Sequence, residues 1–514
     1  MYNLSAVLED SARAYPDHTA LILGPRHISF AKTNGAANMI ANGLAAHGIG
    51  AGDTVALCCP NLPYFPMIYF AALKTGATIL PVNVLLTAVE ITYLLEDSGA
   101  KALFCFEGTD DLPIGSRGHA AFEKVASCEH FWIITGDPAA ASPIADWATL
   151  GALMADRSPA FDTVQRAADD VAVVLYTSGT TGHPKGAELT HTNILLNAII
   201  SRDLTGAKND DICMITLPLF HIFGQVVLMV ACTMTGTTMV LVPRFDPTAV
   251  LKTLQDDNVT IFAGVPTMYW ALLNHPADGI DLEKIKNTLR ICASGGASLP
   301  VEVLRGFEEK FEVAILEGYG LSETSPVVTF NHQHKERKPG SVGTPVWGVE
   351  VRVVDENDTD VATGEPGEII VRGHCVMKGY LNNPEATAEA IRGGWFHTGD
   401  IGHFDEDGYL FIVDRLKDMI IRGGFNVYPR ELEEVLITHP DVSLVAVVGV
   451  PDDEYGEEIK AFVVAKPNHQ VDGDALIEWS KSRLAAYKYP RQVEVRESLP
   501  MNATGKILKK ELRG

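Results

Sequence analysis

Short apolar runs that alternate with longer polar stretches dominate the first two thirds of the chain and most constrain its fold. Four of these runs are rich in β-branched residues and end in turn formers: GATILPVN, KALFCFE, HFWIITG and VAVVLYTS. Continuous apolar runs of this length are typical of strands that are buried on both faces, as in a sheet covered by helices. The alternation therefore predicts a layered α/β architecture in this part of the chain.

The pattern changes near residue 340, where short strands of alternating polarity follow one another with tight turns between them. This texture predicts a small antiparallel, barrel-like unit over about residues 335–413. A charged, glycine-rich passage follows, and the rest of the chain has an αβ pattern of its own, including one predicted helix that stops only at Pro490. We therefore expect an N-terminal domain over residues 1–414 and a C-terminal domain over residues 415–514.

Composition excludes several classes of function. A net charge of −24 over 514 residues disfavours nucleic acid as a partner, because phosphate backbones bind basic surfaces. The eight cysteines are scattered without a CxxC pair, which indicates reduced thiols rather than a zinc site or a disulfide framework. The longest apolar run, Val226–Val242, is shorter than a membrane span and is interpreted as core. With no signal-peptide pattern at the N-terminus, these features predict a cytoplasmic protein.

The segment YTSGTTGHPKG, residues 176–186, has the composition of a phosphate-binding loop. Its glycines allow backbone N–H groups to approach an anion, and its hydroxyls add further donors. It departs from the P-loop spacing, because His183-Pro184 separates the lysine from the preceding glycine and no Ser or Thr follows it. A plain glycine-rich turn is the alternative. We predict that the loop joins a strand to a helix capped by Thr190, whose N–H groups would favour an anion.

Three later segments carry side chains suited to the same chemistry, and each has a simpler interpretation. EGYGLSET offers an aromatic face at Tyr319 and, at Glu323, a hard oxygen ligand for Mg²⁺ that could equally be a solvated carboxylate. GWFHTGD ends in Asp400, which suits a ribose diol but is also a common turn residue. PMNATGKILKKEL places Lys506 after a glycine turn, within reach of an anion or simply in solvent.

Together with DRLKDMIIRGGFNVYPRELE, these segments resemble the adenylate-forming superfamily of acyl-CoA synthetases, luciferases and peptide-synthetase adenylation domains. The resemblance runs nearly from end to end, with five long motifs in the family order. It implies a large N-terminal domain of stacked α/β subdomains plus a small β-barrel. A small, mobile α+β C-terminal domain would follow and pivot on a hinge at Lys417.

The resemblance also implies a two-step reaction with ATP, Mg²⁺ and coenzyme A. A carboxylate attacks the α-phosphorus of MgATP to give an acyl-adenylate and pyrophosphate; the small domain then rotates, and the thiol of coenzyme A displaces AMP. Lys506 would bridge the carboxylate and the α-phosphate, Ser322 would contact the α-phosphate, and Glu323 would hold Mg²⁺. The implied nucleotide-binding residues are Thr177, Ser178, Gly179, Thr180, Thr181, Lys185, Gly295, Gly296, Ala297, Glu317, Gly318, Tyr319, Asp400 and Arg415. Those implied for coenzyme A are Arg422, Gly423 and Gly424.

The acid pocket implied by the resemblance opens at His221, although a histidine between two phenylalanines is more often a core residue. Its expected lining is apolar: Phe223, Val226, Val265, Met268, Tyr269, Leu321 and Val327. It offers no evident arginine for a second carboxylate, which disfavours dicarboxylic acids, and no aspartate for the amino group of an amino acid.

The motif forms most resemble medium- and long-chain fatty acid–CoA ligases. An aryl-CoA ligase acting on coumarate-, ferulate- or benzoate-like acids is the alternative, and a luciferase-type oxygenase or an acyl-carrier acylating enzyme is disfavoured. Peripheral membrane contact and a homodimer are left open.

Overall fold

The computed structural model describes residues 2–137, 139–144, 146–177, 183–452 and 454–513. Its α-helices are α1 Ala6–Ala14, α2 Phe30–Ala46, α3 Tyr64–Lys74, α4 Ala88–Ser98, α5 Ile114–Phe122, α6 Leu150–Met154, α7 His191–Thr205, α8 Ala231–Thr235, α9 Pro247–Asp256, α10 Pro266–Asn274, α11 Leu282–Thr288, α12 Val301–Phe311, α13 Pro384–Ala390, α14 Pro429–Leu436 and α15 Gly473–Lys481. A π-helix spans Phe223–Val230, and 3₁₀ turns span Ser322–Thr324 and Lys509–Leu512.

The strands are β1 Thr19–Leu23, β2 Arg26–Ser29, β3 Thr54–Cys58, β4 Thr78–Pro81, β5 Ala100–Phe106, β6 His130–Ile134, β7 Val171–Thr177, β8 Lys185–Thr190, β9 Ile212–Ile215, β10 Thr238–Leu241, β11 Ile261–Gly264, β12 Ile291–Ser294, β13 Ile315–Gly320, β14 Val327–Phe330, β15 Thr344–Pro345, β16 Val349–Val354, β17 Gly367–Gly373, β18 Gly379–Tyr380, β19 Ile391–Arg392, β20 Trp395–Phe404, β21 Leu410–Arg415, β22 Ile420–Arg422, β23 Phe425–Val427, β24 Val442–Asp452, β25 Gly456–Ala465 and β26 Gln492–Val495. The four apolar runs quoted above form β4, β5, β6 and β7, as predicted.

Two large sheets organise the N-terminal part of the chain. One has seven strands in the order β18-β8-β7-β4-β3-β5-β6, and the other has nine in the order β15-β14-β13-β12-β11-β9-β10-β1-β2. Their central strands are parallel, and antiparallel strands are added at the margins. The predicted α/β layering is therefore confirmed.

The helices between the two sheets explain the longest apolar segments. Helices α3 and α7 contact the seven-stranded sheet, while α2 and the π-helix contact the nine-stranded sheet, and the two layers meet through α2–α3 and α7–π-helix contacts. Both α3 and the π-helix are buried almost throughout, because each is covered on every side. The Val226–Val242 run is core, as predicted. Among the residues described, no helix is both long and apolar enough to cross a membrane.

The rest of the chain forms two smaller sheets. The barrel-like unit is an antiparallel half-barrel of β16, β17, β20 and β19, with β21 paired to β20. The small C-terminal domain has the order β23-β22-β25-β24, with β26 added parallel to β25, and is covered by α14 and α15. Residues Arg415 and Ile420 end and begin the strands on either side of Lys417, so the expected hinge lies in the connection between the two sheets.

Two predictions about secondary structure are wrong. The phosphate loop does not lead directly into a helix: strand β8 follows it and pairs antiparallel with β7, so that Thr177 stands opposite Lys185. Thr190 does cap α7, with its hydroxyl accepting from the Asn193 amide at 3.1 Å, but this helix start lies one strand away from the loop. Pairing of β8 with both β7 and β18 creates a strand in a segment that shows little local strand pattern.

The helix predicted to run up to Pro490 ends at Lys481 instead. The hydroxyls of Ser480 and Ser482 donate to the carbonyls of Ile477 and Trp479, at 2.7 and 3.0 Å. Serine side chains that bond to nearby backbone compete with helical bonding, which accounts for the early end.

All eight cysteine side chains are buried and carry free thiols. The last of them in the chain is Cys375, so every cysteine lies in the N-terminal part and the C-terminal domain has none.

Candidate active site

The expected nucleotide-binding residues converge where parallel strands end. Ser294 at the end of β12 is paired with Glu317 on β13, so the Gly295–Ala297 turn begins beside Gly318 and Tyr319, which continue β13 and pair with β14. A Cβ at Gly318 would lie 2.4 Å from Phe330, so only glycine allows the close strand approach seen here. The carboxyl end of a parallel sheet is where open α/β folds bind ligands.

Asp400 stands at the centre of this region. Strands β20 and β21 pair Asp400 with Arg415, and the Arg415 Nε lies 3.3 Å from Asp400 Oδ1. The other carboxylate oxygen accepts a hydrogen bond of 2.7 Å from the Tyr319 hydroxyl. Burial, followed by the charge of Asp400, raises the pKa of Tyr319, so this phenol remains a donor. The structure thus brings together three residues that the sequence placed up to 96 positions apart (Tyr319 to Arg415).

Glu317 is placed differently from its neighbours. Its side chain is buried and accepts a hydrogen bond of 3.2 Å from the Leu299 amide. Burial raises the pKa of Glu317 to about 7, an effect opposed by the charge of Arg430 in the C-terminal domain. The Glu317 backbone lies next to the site, whereas its carboxylate binds the Leu299 amide of the adjoining loop.

Glu323 is held at the other end of the site. It lies in the 3₁₀ turn that begins at Ser322, and its Oε1 accepts two hydrogen bonds of 3.1 Å, from Thr177 Oγ1 and from the Tyr380 hydroxyl. The ammonium of Lys185 lies 5.2 Å from the centre of the Tyr380 ring. Thr177 on β7 therefore contacts Glu323 directly, whereas Lys185 on β8 is connected to Glu323 through the Tyr380 side chain. The predicted residues Ser178, Gly179, Thr180 and Thr181 lie outside the described residues.

The donor set around Glu323 suits Mg²⁺ only if substrate oxygens complete it. Within the described part of the chain, no group of three or more His, Cys, Asp or Glu side chains could hold a metal by itself. Magnesium is commonly bound through one or two carboxylates together with nucleotide phosphates and water, so a single buried Glu323 beside a phosphate loop fits that pattern.

A tight turn presents Lys506. The Asn502 side chain accepts from the amides of Thr504 and Lys506, at 3.0 and 2.9 Å, and the Asn502 amide donates to the Lys506 carbonyl. The turn is fastened to the N-terminal domain by Thr267, whose hydroxyl donates to the Gly505 carbonyl at 2.9 Å.

Charged groups from the candidate site influence the pKa of Lys506. Burial, followed by the charge of Arg415, lowers the pKa of Lys506 to about 8, while Asp400 and Asp418 oppose the shift. Burial also lowers the pKa of His221 to about 4, and Lys506 is the second cause. The structure therefore gathers Lys506, Asp400, Arg415 and His221, and His221 is neutral at physiological pH.

Gly505 has no room for a side chain. Its φ is +78°, and a Cβ would lie 2.7 Å from Thr267 Oγ1 and 3.1 Å from Val265. If Lys506 acts in adenylate formation as the resemblance implies, we expect Gly505→Ala to lower the rate of that step by about tenfold, because displacing the turn by an ångström misplaces the lysine. The measurement is acid-dependent pyrophosphate exchange. Gly408→Ala is the matched control, since Gly408 also has a φ of +78° but an open environment; an equal loss in both variants would contradict the expectation.

The expected acid-pocket residues fall into two groups. A Cβ at Gly295 would lie 3.2 Å from Phe223, and one at Gly296 would lie 3.6 Å from Val265, so these two side chains adjoin the Gly295–Ala297 turn. Tyr269 instead is fully buried, donates to the Ala293 carbonyl at 2.7 Å and packs edge-on against Phe307. Val226, Met268 and Val327 are buried, and Leu321 is half-buried.

The residues expected to meet coenzyme A are in the turn between β22 and β23. The guanidinium of Arg422 forms a paired contact with Glu458, at 2.6 and 2.8 Å, and lies over the Tyr455 ring. Gly423 and Gly424 both have positive φ, of +56° and +84°, as the tight turn requires. The accessible part of this segment is therefore its backbone, because the arginine is engaged within the C-terminal domain.

Sequence reasoning missed three residues that the structure places at the site: Tyr380, Thr267 and Asn502. Tyr380 comes from KGYLNNP, which carries no chemical signature of its own, and Thr267 follows a helix-starting proline. Asn502 could have been predicted from the sequence, because an asparagine that precedes a glycine by three residues and a lysine by four is typical of a turn.

The comparisons with known proteins cover almost the whole chain. A family model described as AMP-binding enzyme matches residues 8–381, and one described as AMP-binding enzyme C-terminal domain matches residues 431–506. A feruloyl-CoA synthase of Amycolatopsis sp is 39% identical over 98% of this chain and 96% of its own length. A long-chain-fatty-acid–CoA ligase of Bacillus subtilis (strain 168) is 36% identical over 99% of this chain and 94% of its own.

Among solved structures, the anthranilate CoA ligase AuaEII in complex with anthranoyl-AMP superposes with a TM-score of 0.91. It is 30% identical in sequence, and the match covers 100% of this chain and 96% of that one.

Proposed function

The chain belongs to the AMP-binding enzymes, the adenylate-forming superfamily, and from that membership we propose that its substrate is an aromatic monocarboxylic acid and that the residues gathered above carry out its activation. The coarser activity follows from the family and its relatives: the protein is an AMP-forming acid–CoA ligase that uses ATP and coenzyme A. The choice of acid and the role of each side chain are the proposal.

In the first half-reaction, the nucleotide lies across the ends of β12 and β13. Asp400 receives the ribose hydroxyls, supported by the Tyr319 hydroxyl and the Arg415 guanidinium. Lys185 and Thr177 hold the β- and γ-phosphates, which leave as pyrophosphate. Ser322 contacts the α-phosphate. Positive charge and donors aimed at accumulating negative charge typically contribute about 10²–10³ in rate for each group removed.

Glu323 is the proposed protein ligand of Mg²⁺. When bound, the cation neutralises phosphate charge that would repel an incoming carboxylate. The part played by the chain is to keep the Glu323 carboxylate oriented, which the donors Thr177 and Tyr380 do through a single oxygen.

Lys506 neutralises the attacking carboxylate and the α-phosphate while the lid is in the orientation described here. A compact ammonium on a mobile domain suits a contact that must form and then be removed. We propose that rotation about Lys417 replaces this turn with the Arg422–Gly424 turn, whose glycines let a pantetheine arm pass the backbone. The boundary between residues 414 and 415 is part of the same proposal.

The pH dependence of the first half-reaction follows from Lys506. Its pKa is lowered from 10.5 to about 8, so the charged form is complete below pH 7 and is lost as the pH rises through 8. We expect kcat/KM for ATP, which reports the free enzyme, to fall about tenfold for each pH unit above 8. The Lys506→Arg variant should retain some activity and should not show this fall in kcat/KM above pH 8, because arginine stays charged. A wild-type profile that stays flat to pH 10 would exclude Lys506 as the titrating group.

The observation that carries the choice of acid is the burial of two residues expected to line the acid pocket. Tyr269 and Val226 are fully buried, and Tyr269 is bonded to the Ala293 carbonyl and packed on Phe307, so neither side chain presents exposed surface to an acid. A short, flat aromatic acid of the hydroxycinnamate or benzoate kind would need only the side chains beside the Gly295–Gly296 turn, Phe223 and Val265. The high identity to a feruloyl-CoA synthase supports the same choice.

A medium- or long-chain fatty acid is the second candidate. The wholly apolar character of the expected lining favours it, as does the fatty acid ligase among the relatives. The test is pyrophosphate release across a panel of hydroxycinnamates, benzoates and C8–C16 fatty acids, each with and without coenzyme A. Release with the aromatic acids and stimulation by coenzyme A are expected; release confined to the fatty acids would replace the proposal with this second candidate.

The predictions of a cytoplasmic location, a homodimer and peripheral membrane contact stay predictions.

A further inference from the structure

Tyr380 contacts both groups that are proposed to act on the phosphates. Its hydroxyl donates to Glu323 Oε1 at 3.1 Å, and its ring lies 5.2 Å from the Lys185 ammonium. Tyr380 stands in β18, outside every motif that carries the resemblance to the family. A side chain that touches a carboxylate with one end and an ammonium with its face can influence both.

The backbone of Tyr380 is fixed to the strand that leaves the phosphate loop. Tyr380 is paired with Ala187 on β8, and the next residue, Leu381, donates its amide to the Gly186 carbonyl at 2.7 Å. The Tyr380 amide in turn donates to Thr387 Oγ1 at 2.9 Å. The ring is therefore anchored to the loop strand on one side and to helix α13 on the other, so it is a rigid reference point.

The hydroxyl selects which oxygen of Glu323 is engaged. Thr177 and Tyr380 both donate to Oε1, and two donors on one oxygen fix the rotation of the carboxylate. A tyrosine phenol ordinarily keeps its proton at neutral pH, so the hydroxyl of Tyr380 acts as a donor here. With Oε1 engaged by these two donors, Oε2 is the oxygen that would be left for a cation.

The ring holds Lys185 by a different interaction. An ammonium within about 6 Å of an aromatic centre is attracted to the ring face. This keeps the lysine near the loop before ATP arrives, so less side-chain freedom is lost when the ammonium moves to a phosphate.

We propose that Tyr380 is a positioning residue with two separable actions: its hydroxyl orients Glu323 toward the metal, and its ring retains Lys185 beside the phosphate loop. This inference rests on the proposed roles of Glu323 and Lys185. The hydroxyl matters only when metal is present, whereas the ring matters with or without metal.

The experiment measures equilibrium binding of an ATP analogue with a methylene bridge between the α- and β-phosphates, by calorimetry, in Mg²⁺ and in EDTA. Tyr380→Phe keeps the ring and removes the hydroxyl. We expect about a tenfold weaker affinity in Mg²⁺ and a change of less than about twofold in EDTA, since a hydrogen bond to a charged group is lost. Tyr380→Leu should weaken binding in EDTA as well, by about threefold.

Tyr409→Phe is the matched control. Tyr409 also carries a lysine over its ring, Lys338 at 4.8 Å, and its hydroxyl donates to the Glu336 carbonyl. These contacts lie between β21 and the segment before the half-barrel, and none involves Glu323 or the phosphate loop. Binding by Tyr409→Phe should equal that of the wild type in both buffers.

The Glu323→Gln variant distinguishes a failure of this inference from a failure of the proposed metal role of Glu323, on which the inference rests. If Glu323→Gln retains the full Mg²⁺ enhancement of nucleotide binding, the metal role of Glu323 is wrong and the inference goes with it. If Glu323→Gln loses the enhancement but Tyr380→Phe keeps it, only the role of Tyr380 is overturned. A loss in Tyr380→Phe that is equal in Mg²⁺ and EDTA would overturn the division between hydroxyl and ring. Thermal unfolding of each variant identifies losses that come from instability.

Discussion

Replacement of Lys506 by alanine is expected to lower the rate of acyl-adenylate formation by about 10²–10³, while thioester formation from preformed acyl-adenylate stays within about threefold of the wild type. The ammonium is the cation that the C-terminal domain places near Asp400 and His221. In the proposed mechanism, its charge is needed while two anions approach each other. Once the adenylate exists, that repulsion would be gone and the lysine would have no further electrostatic role.

The two half-reactions are measured separately, the first by pyrophosphate exchange and the second by adding coenzyme A to synthetic acyl-adenylate. Lys510→Ala is the matched control, because Lys510 is an exposed lysine four residues further along the same terminal segment. Equal losses in both half-reactions of Lys506→Ala would show that the residue supports the lid as a whole rather than one step.

The second large effect is expected from Asp400→Asn, which should raise KM for ATP by about 10²-fold. Asp400 is buried, and its two oxygens are shared between the Tyr319 hydroxyl and the Arg415 guanidinium. The amide cannot accept at both positions, so the substitution weakens the ribose contact and leaves Arg415 without its counter-charge. Hydrogen bonds to charged groups typically contribute about 1.5–3 kcal/mol each.

The control for Asp400→Asn is a buried carboxylate of similar setting outside the site. Asp211 is buried and paired with Arg290, and the Arg290 Nε donates to it at 2.8 Å. Asp211→Asn should lower the melting temperature without changing KM for ATP. If Asp400→Asn lowers the melting temperature and leaves KM for ATP unchanged, Asp400 is a structural residue rather than a nucleotide ligand.

The sequence predicts the layering of the fold because buried parallel strands carry their own signal. The runs that became β4 to β7 are mostly apolar, and no tertiary information is needed to recognise them. Strand β8 was missed for the opposite reason: KGAELT has a mixed composition and becomes a strand by pairing with neighbours on both sides.

The candidate site likewise contains residues that the sequence predicted and residues that only the structure revealed. Asp400, Glu323 and Lys506 were predicted because their segments occur together in the family order, although each segment alone has a simpler interpretation. Tyr380 and Thr267 were not recognisable, because their importance comes only from what lies opposite them in space. Tyr269 has the chemistry of a pocket wall, but the structure uses its hydroxyl to close a hydrogen bond inside the core.

The distribution of cysteines has a practical consequence for observing the lid. Thiolates react with maleimides, and burial raises the pKa of Cys128 and of Cys375 to about 12, so little thiolate forms at neutral pH. Cysteines introduced at exposed Ser482 in the C-terminal domain and at exposed Ser158 could therefore be labelled with a dye pair, with little labelling of the native cysteines. Fluorescence energy transfer between the two dyes would then test the proposed rotation about Lys417 during turnover, one molecule at a time.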